Sequence, residues 1–431
     1  MGPRETPLVG PLAAGEAARH IVGSLAALPA APVALDDALG LVLAEAVTSP
    51  MDVPAWTNSA MDGYAARGAD VRGATPEHPV VLSVIEELPA GRFPTREVGP
   101  AECIRIFTGA PLPAGADSVI RQEDTDHGTA RVQVFKDRDV GVNIRQAGED
   151  IRRGALALAA GTALGPAELG VLASLAIATP LVHRRPRVAI LGSGDEIAHV
   201  TETEAIRSGR KVASSNSHTL TALVRLAGAE PLNLGIAQDT RESVMAHLAA
   251  ARHADLLVTS AGISVGEHDH LRTAVEALGG RLDFWKLRMR PGAPVGFGWL
   301  PTNEPGRWIP WIGLPGNPVS AMVTFELFVR PAIRRLLGFA APFRCSTPVT
   351  LTEPVRVGPR LQHFLRAIVQ TAKDGGYTAG LTGPQGSGIL TSMVRANALL
   401  LVPEGVQQCD EGARLDALRF DDTRHQVAPA F

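Results

Sequence analysis

Lys286, Arg288 and Arg290 stand at alternate positions in the stretch Phe284-Trp-Lys286-Leu-Arg288-Met-Arg290-Pro291-Gly292. Alternate side chains of a strand share a face, so the three cations form one row opposite Trp285, Leu287 and Met289. The row suits an oxyanion or a phosphate, because Arg offers a bidentate fork and Lys a compact charge. A solvated strand face explains the same pattern equally well. Further on, Gly313-Leu-Pro315-Gly316-Asn317-Pro318-Val-Ser320 leads into an apolar stretch through Phe325 and Phe328. Asn317 reads as a helix N-cap and Pro318 as the first helical residue. Free N–H groups and the dipole at such a start attract anions. An ordinary capped helix is the commoner origin of this pattern, and the cationic row just upstream gives it functional weight.

The carboxylates of interest lie in loops: Asp62 in Asn58-Ser-Ala-Met-Asp62-Gly63-Tyr64, Asp150 in Gly148-Glu149-Asp150, the pair Asp195-Glu196, and Asp269. At strand ends such groups can hold Mg²⁺, which takes oxygen ligands and bridges phosphates, although each taken singly is more often a turn or cap residue. Gly192-Ser-Gly194 lacks the third glycine of a dinucleotide fingerprint. His183, His218 and His268 show no HExxH or triad arrangement. Cys103, Cys345 and Cys409 form no CxxC pair and no Cys/His metal spacing, which argues against a disulfide framework or a structural zinc site and for a reduced compartment.

Elements must hold these residues in place. Residues 11–49, rich in Ala and Leu, read as mostly helical, with Ala38, Leu41, Val42 and Glu45 at helical spacing. Short β runs then follow from Pro50 to about Ile144 (Val80–Ile85, Cys103–Phe107, Val119–Arg121, Val132–Phe135), split by turns such as Pro111-Leu-Pro113-Ala-Gly115. A second helical piece covers Gly165–Leu175, with Leu169, Leu172 and Ala173 on one face. From Pro186 to about Gly338 strands alternate with helices: Arg187–Leu191, a helix near Ser217–Ala227 capped by Asn216 or Ser217, Glu242–Ala251, and Asp255–Thr259. That alternation predicts a parallel sheet with helices on both faces, whose ligands sit beyond the carboxyl ends of the strands. The Gly- and acid-rich loops fall there. Short β runs return after Gly338 (Thr347–Leu351, Ala367–Thr371, Leu399–Val402).

The expected class is therefore a multidomain α/β protein. It has a helical or linking domain (1–50 plus 146–184), an inserted β-rich domain (51–145), a central doubly wound α/β domain (185–340) and a C-terminal β domain (341–431). With Lys plus Arg at 41 and Asp plus Glu at 44, overall charge gives no reason to expect nucleic acid or a membrane surface as partner. Neither a spanning apolar run nor an export signal is evident, so the expected location is the cytoplasm. On residue types alone, the chain binds a phosphorylated or oxyanionic ligand, with Mg²⁺.

The stretch Val53-Pro-Ala-Trp-Thr-Asn58-Ser59-Ala60-Met61-Asp62-Gly63-Tyr64-Ala65 strongly resembles molybdopterin molybdotransferases, including the molybdate-inserting domain of gephyrin. The likeness continues in family order over nearly the whole chain. It runs through Ile106-Phe-Thr108-Gly109-Ala110-Pro111-Leu-Pro113, Asn143-Ile-Arg145 with Gly148-Glu-Asp150-Ile, and Gly194-Asp195-Glu196. It then includes Ser264-Val-Gly266-Glu-His-Asp269, Trp285-Lys286 and Leu314-Pro-Gly-Asn317-Pro-Val-Ser320. Each motif alone is modest, and together they are very specific. The resemblance implies an elongated four-part subunit, a homodimer with an active site shared across it, and a central molybdopterin-binding-like domain. The implied substrates are adenylated molybdopterin and molybdate; the pyrophosphate bond is cleaved with a divalent cation, AMP leaves, and the dithiolene takes the metal. A separate molybdopterin adenylyltransferase and proteins that deliver the cofactor to molybdoenzymes are the further partners it suggests.

Carried onto matching positions, Asp62, Thr108, Asp150, Glu196, Asp239 and Asp269 resemble the functional polar set, with Glu196 and Asp269 nearest Mg²⁺ and the pyrophosphate. Lys286 and Arg290 resemble the cations for phosphate and molybdate, Ser264 and Ser320 the hydroxyl or backbone donors near Asn317 and Pro318. Arg366, in Phe364-Leu-Arg366-Ala-Ile, resembles a second molybdate contact. The chain departs from the family at Arg290-Pro-Gly-Ala293-Pro, where Lys-Pro-Gly-Lys-Pro is common; Arg288, on the same strand face, is the candidate to compensate. The alternative is a non-catalytic pterin carrier or scaffold of the same fold. A nicotinamide-dependent dehydrogenase is disfavoured by the missing third glycine.

Overall fold

The computed structural model describes Gly2, Leu8, residues 10–261, 270–421 and 425–431. Ser264 and Asp269, singled out above, lie outside the described residues. Among those described, no helix is long and apolar enough to cross a membrane.

The first helix, α1 (Ala14–Gly23), turns Ala14, Ala17, Ala18 and Ile21 inward on one face. The helical reading of 11–49 stops there. Beyond it come a strand at Ala30–Pro32, a single 3₁₀ turn at Leu35–Asp37, and short strands at Val42–Leu43 and Val47–Thr48. Pro29, Pro32 and Gly40 interrupt helix formation. Val42 and Leu43 instead pair with His183 and Val182, so their apolar side chains are buried by a sheet. The second helical piece, Pro166–Ser174, buries Leu172 fully while Ala173 is exposed, so its core face is narrower than the pattern suggested.

Residues 51–145 build a five-stranded sheet in the spatial order Ser118–Arg121, Gly63–Ala66, Glu102–Ile106, Val80–Leu88, Arg131–Val134. Gly63 follows Asp62 where the strand passes Ile120, and a Cβ there would stand 2.0 Å from the Ile120 carbonyl oxygen. Only glycine lets the two backbones approach so closely.

The central domain carries β1 (Arg187–Ser193), α2 (Ser215–Leu226), β2 (Glu230–Ala237), α3 (Arg241–Ala250), β3 (Leu256–Ser260), α4 (His270–Ala277), β4 (Arg281–Phe284), β5 (Gly296–Pro301) and β6 (Trp308–Leu314). The sheet order is β2-β1-β3-β6-β5-β4. The first four strands are mutually parallel, β5 runs antiparallel to β6, and the edge strand β4 runs antiparallel to β5. β3 is buried at all five positions, as a strand covered on both faces must be. Val224 and Leu220 of α2 pack on one face and Val244 and Leu248 of α3 on the other. After β6, one long helix, α5, spans residues 318–336: Pro318–Thr324, a π-helical turn Phe325–Val329, then Arg330–Leu336.

Helix α1 packs into this central core beside α5, although the chain passes from it into the linking strands. His20 of α1 bonds Asp283 of β4 at 2.7 Å, and Asp283 is only 1 % exposed. The C-terminal strands Ser346–Leu351, Gln362–Thr371, Tyr377–Leu381, Ala398–Val402 and Arg414–Arg419 pair into a closed ring, a small barrel around Leu365, Ala367, Val369 and Leu400. Closure removes the exposed sheet edges. The short strand Met289–Arg290, between β4 and β5, adds in parallel to Gln362–His363 and so ties the barrel to the central domain.

Candidate functional site

The carboxyl ends of β1, β3 and β6 open on one cleft of about 520 Å³. Its walls include Ser193 and Glu196 after β1, Ser214, Ser215 and Asn216 at the start of α2, Ser260 and Ala261 ending β3, and Gly316, Asn317 and Pro318 before α5. This is where an open α/β sheet takes its ligand, because loops there splay apart while the strands hold them rigidly. Glu196 folds back over Gly194: a Cβ at that glycine would stand 2.8 Å from one carboxylate oxygen and 2.9 Å from the other. The φ of +137° at Gly194 is also one that L side chains rarely adopt, so the glycine is what gives the carboxylate its place.

A second, adjoining cleft of about 770 Å³ lies on the far side of the 194–197 segment. Asp195, on its wall, exchanges bonds with Asp239: the Asp239 N–H donates to an Asp195 carboxylate oxygen at 3.0 Å, and the Asp195 N–H donates to Asp239 at 3.2 Å. Lys211 donates to the Asp195 carbonyl. Asp239 thus stands one loop away from Glu196.

Asn317 is the N-cap of α5 by position, and Pro318 its first residue, but the Asn317 side chain makes no capping bond. The Val319 N–H is used by the Ser387 carbonyl of the C-terminal domain at 3.1 Å. Ser320, 4 % exposed, sits inside the helix rather than on the cleft wall. Part of the anion-attracting character expected of this helix start is therefore spent on a domain contact.

The cationic row does not stand on one continuous strand, since only Met289–Arg290 is a strand here; Leu287 and Met289 are buried, Lys286 and Arg290 exposed, and Arg288 half-buried. The row does not line the cleft, whose wall takes Pro294 from this segment instead. Arg288 donates to the Pro11 carbonyl at 2.6 Å and pairs with Glu404 at 3.2 Å. It fastens the N-terminal segment to the C-terminal domain, so the structure does not bring it to the position that Ala293 leaves uncharged. Arg366 is not a surface contact either, being fully buried. Its Nε donates to Ser392 at 3.0 Å and its Nη2 to the Gly386 carbonyl at 2.9 Å, while Nη1 has no partner among the described residues. Burial lowers its pKa from the ordinary arginine value.

Asp62 and Thr108 meet in the inserted domain. One Asp62 oxygen accepts both the Thr108 N–H and its hydroxyl, each at 2.8 Å. These bonds hold the carboxyl below the usual carboxylate range, the backbone bond contributing most and the Arg105 charge adding a little. Arg105 is held by the Tyr64 hydroxyl at 2.6 Å and Gln122 at 3.0 Å. Asp150 is exposed on its own loop, its N–H on the Val53 carbonyl at 3.0 Å. No residue between 51 and 150 lines the cleft. Within one chain the structure thus forms two groups, Asp62 with Thr108, and Glu196 with Asn317 and Pro318.

Sequence reasoning did not single out the hydroxyl-rich wall. Ser193 and Ser260 end strands, and the expected cap at Asn216 or Ser217 lies inside the helix, which starts at Ser215 after Ser214. A run of small hydroxyl and amide residues directly at a helix start after a strand was the available signal.

Three family models cover the chain in succession: the MoeA N-terminal region (domain I and II) over 13–176, a probable molybdopterin binding domain over 189–335, and the MoeA C-terminal region (domain IV) over 348–420. A molybdopterin molybdenumtransferase 2 of Mycobacterium tuberculosis is 37 % identical over 392 residues, 89 % of this chain and 93 % of that protein. The molybdopterin molybdenumtransferase of Nostoc is 37 % identical over 371 residues, 85 % of this chain and 83 % of that protein. Among solved structures, the molybdopterin biosynthesis MoeA protein of Pyrococcus horikoshii matches with a TM-score of 0.78 at 27 % identity, covering 95 % of this chain and 99 % of its own.

Proposed function

The chain belongs to the MoeA family of molybdopterin molybdenumtransferases, enzymes of molybdenum cofactor biosynthesis, and from that premise we propose that it inserts molybdate into adenylated molybdopterin with Mg²⁺-dependent release of AMP. The observation that carries this reading is the cleft at the carboxyl ends of β1, β3 and β6, which falls within the match to the molybdopterin-binding model. A cleft of about 520 Å³ walled by serines, Asn216, Asn317 and one carboxylate offers hydrogen bonds to a phosphorylated heterocycle.

Mg²⁺ fits this wall in its usual mode, one or two protein carboxylates completed by substrate phosphates. Among the described residues no cluster of three or more metal-binding side chains exists, so Glu196 is the carboxylate that would hold it there. Bound, the ion would neutralise charge developing on the pyrophosphate oxygens. The chain's own residues orient the phosphates and shield the bond from bulk water. Lys286 and Arg290 are exposed, Arg290 on the strand that joins the C-terminal barrel, and are the cations proposed to draw in molybdate. Asp62 and Thr108 do not line the cleft of their own chain, and in the proposed homodimer they would serve the cleft of the second copy. The cytoplasm is the compartment proposed for this chemistry.

AMP release from adenylated molybdopterin by the purified protein, with and without molybdate and Mg²⁺, tests the reading. Release that requires both ions is expected. Binding of the adenylate without molybdate-dependent AMP release would instead identify a pterin carrier, with Ala293 the residue to restore to Lys.

A further inference from the structure

Asn216 spans the floor of the cleft. Its Nδ2 donates to the Ser260 hydroxyl at 2.6 Å and to the Gly316 carbonyl at 2.8 Å, joining the start of α2 to the loops after β3 and β6. A carbonyl can only accept, so the Gly316 contact fixes which end of the amide is nitrogen. Both amide hydrogens are then used. Oδ1 has no hydrogen-bond partner among the described residues and is shielded from solvent. Leaving an acceptor unpaired is costly, and here it accompanies the placement of two donors.

The consequence falls on Ser260. A hydroxyl has one hydrogen and two lone pairs. Ser260 Oγ accepts from Asn216, and no acceptor among the described residues takes its own hydrogen. The side chain is 4 % exposed and lines the cleft. Among the described residues its hydrogen has the cleft as its outlet, polarised by the bond the oxygen receives.

We propose that Ser260 donates this hydrogen to a phosphate oxygen of the bound ligand, and that Asn216 is the positioning residue that keeps the hydroxyl turned to do so. The inference rests on the reading of the cleft as a site for a phosphorylated heterocycle. Its chemistry is that of a neutral donor to an anionic oxygen, stronger than a neutral pair and needing no buried cation. This matters in a wall where no lysine or arginine appears among the described residues.

Binding of ADP with Mg²⁺ and of adenosine, measured by calorimetry on the full chain, tests it. Ser260→Ala should weaken ADP roughly tenfold or more and leave adenosine within about twofold, while Ser260→Thr, which keeps the hydroxyl, should restore ADP binding. Asn216→Ala should weaken ADP several-fold in the wild-type background and clearly less in the Ser260→Ala background, where only its bond to the Gly316 carbonyl remains to be lost. Equal weakening of ADP and adenosine by Ser260→Ala, or an Asn216→Ala loss of the same size in both backgrounds, overturns the proposal while the cleft reading stands. Should the wild-type protein bind neither ligand, the reading of the cleft falls and takes the proposal with it.

Discussion

Asp62→Asn and Glu196→Gln, placed on separate chains, test whether an active site is completed across two protomers. The cleft beside Glu196 receives no residue from 51–150, yet Asp62 and Thr108 form an ordered polar pair with an ionised carboxylate. If those residues serve a partner's cleft, each single variant loses both sites of its homodimer, and the rate should drop roughly a hundredfold or more. A mixed dimer behaves differently. The chain carrying Asp62→Asn has an intact Glu196 cleft, and its partner, carrying Glu196→Gln, supplies an intact Asp62. One site is whole and the other carries both lesions, so purified mixed dimers should run at about half the wild-type rate under two-fold symmetry. The variants are co-expressed with different affinity tags, purified through both, and assayed for molybdate-dependent AMP release. If each chain used its own Asp62, no mixed dimer would contain a whole site. Activity at the level of the single variants, in verified mixed dimers, would falsify the shared-site reasoning.

His20→Leu should destabilise the central domain by about 3 kcal/mol, since it strands a buried carboxylate that already has one unpaired oxygen; thermal unfolding followed at the tryptophans reads it, and His20→Leu/Asp283→Leu should recover most of the loss. His363 has its pKa lowered, first by burial and secondarily by the nearby Arg290 charge, despite donating to Gly358. A group whose folded value lies below the unfolded one, near 6.5, holds fewer protons when folded, so stability should fall as pH drops below about 6.5; His363→Gln should flatten that slope in denaturant titrations at pH 5 to 8, and an unchanged slope would count against it. Burial pushes the Cys103 thiol up to about 12, so at pH 8 iodoacetamide should label the half-buried Cys345 well before Cys103, as peptide mass spectrometry of the folded protein would show. Gly338→Ala should lower the melting temperature by several degrees, because the added Cβ would meet the His183 ring at 2.2 Å at a φ of +90°.

Where one segment's burial is decided by its own period, the sequence was a sufficient guide. Arg187–Leu191 and Asp255–Thr259 are apolar runs too short for helices and flanked by glycine loops, and both became central parallel strands. Asn317-Pro318 carries its helix start in local chemistry and keeps it. Residues 35–45 failed for the opposite reason. Their apolar spacing fits a helix, but the partner that buries Val42 and Leu43 lies about 140 residues away, at Leu181–His183, and no local period reports such a pairing.

The cations show the same division more sharply. Alternation matches the burial of Leu287 and Met289 against exposed Lys286 and Arg290, but only Met289–Arg290 of the expected strand forms and Arg288 is half-buried. What each outward cation faces depends on domains that the strand itself does not contain. Arg288 faces Pro11 and Glu404, some 277 and 116 residues distant in sequence, and becomes a fastener. Arg366 lies on the face of its strand opposite Leu365 and Ala367, buried under the 384–392 segment, and spends its fork on Ser392 and the Gly386 carbonyl. A charge therefore acquires its role from the assembly of parts, whereas hydroxyls such as Ser260 acquire theirs from the end of one strand. That is why the cleft wall, built from strand ends and one helix start, is the better place to look for binding determinants. An anion held there by Ser260, Asn317 and the α2 start would need no fixed cation in the wall, and Lys286 and Arg290 would then govern how fast molybdate arrives rather than how the phosphates are held.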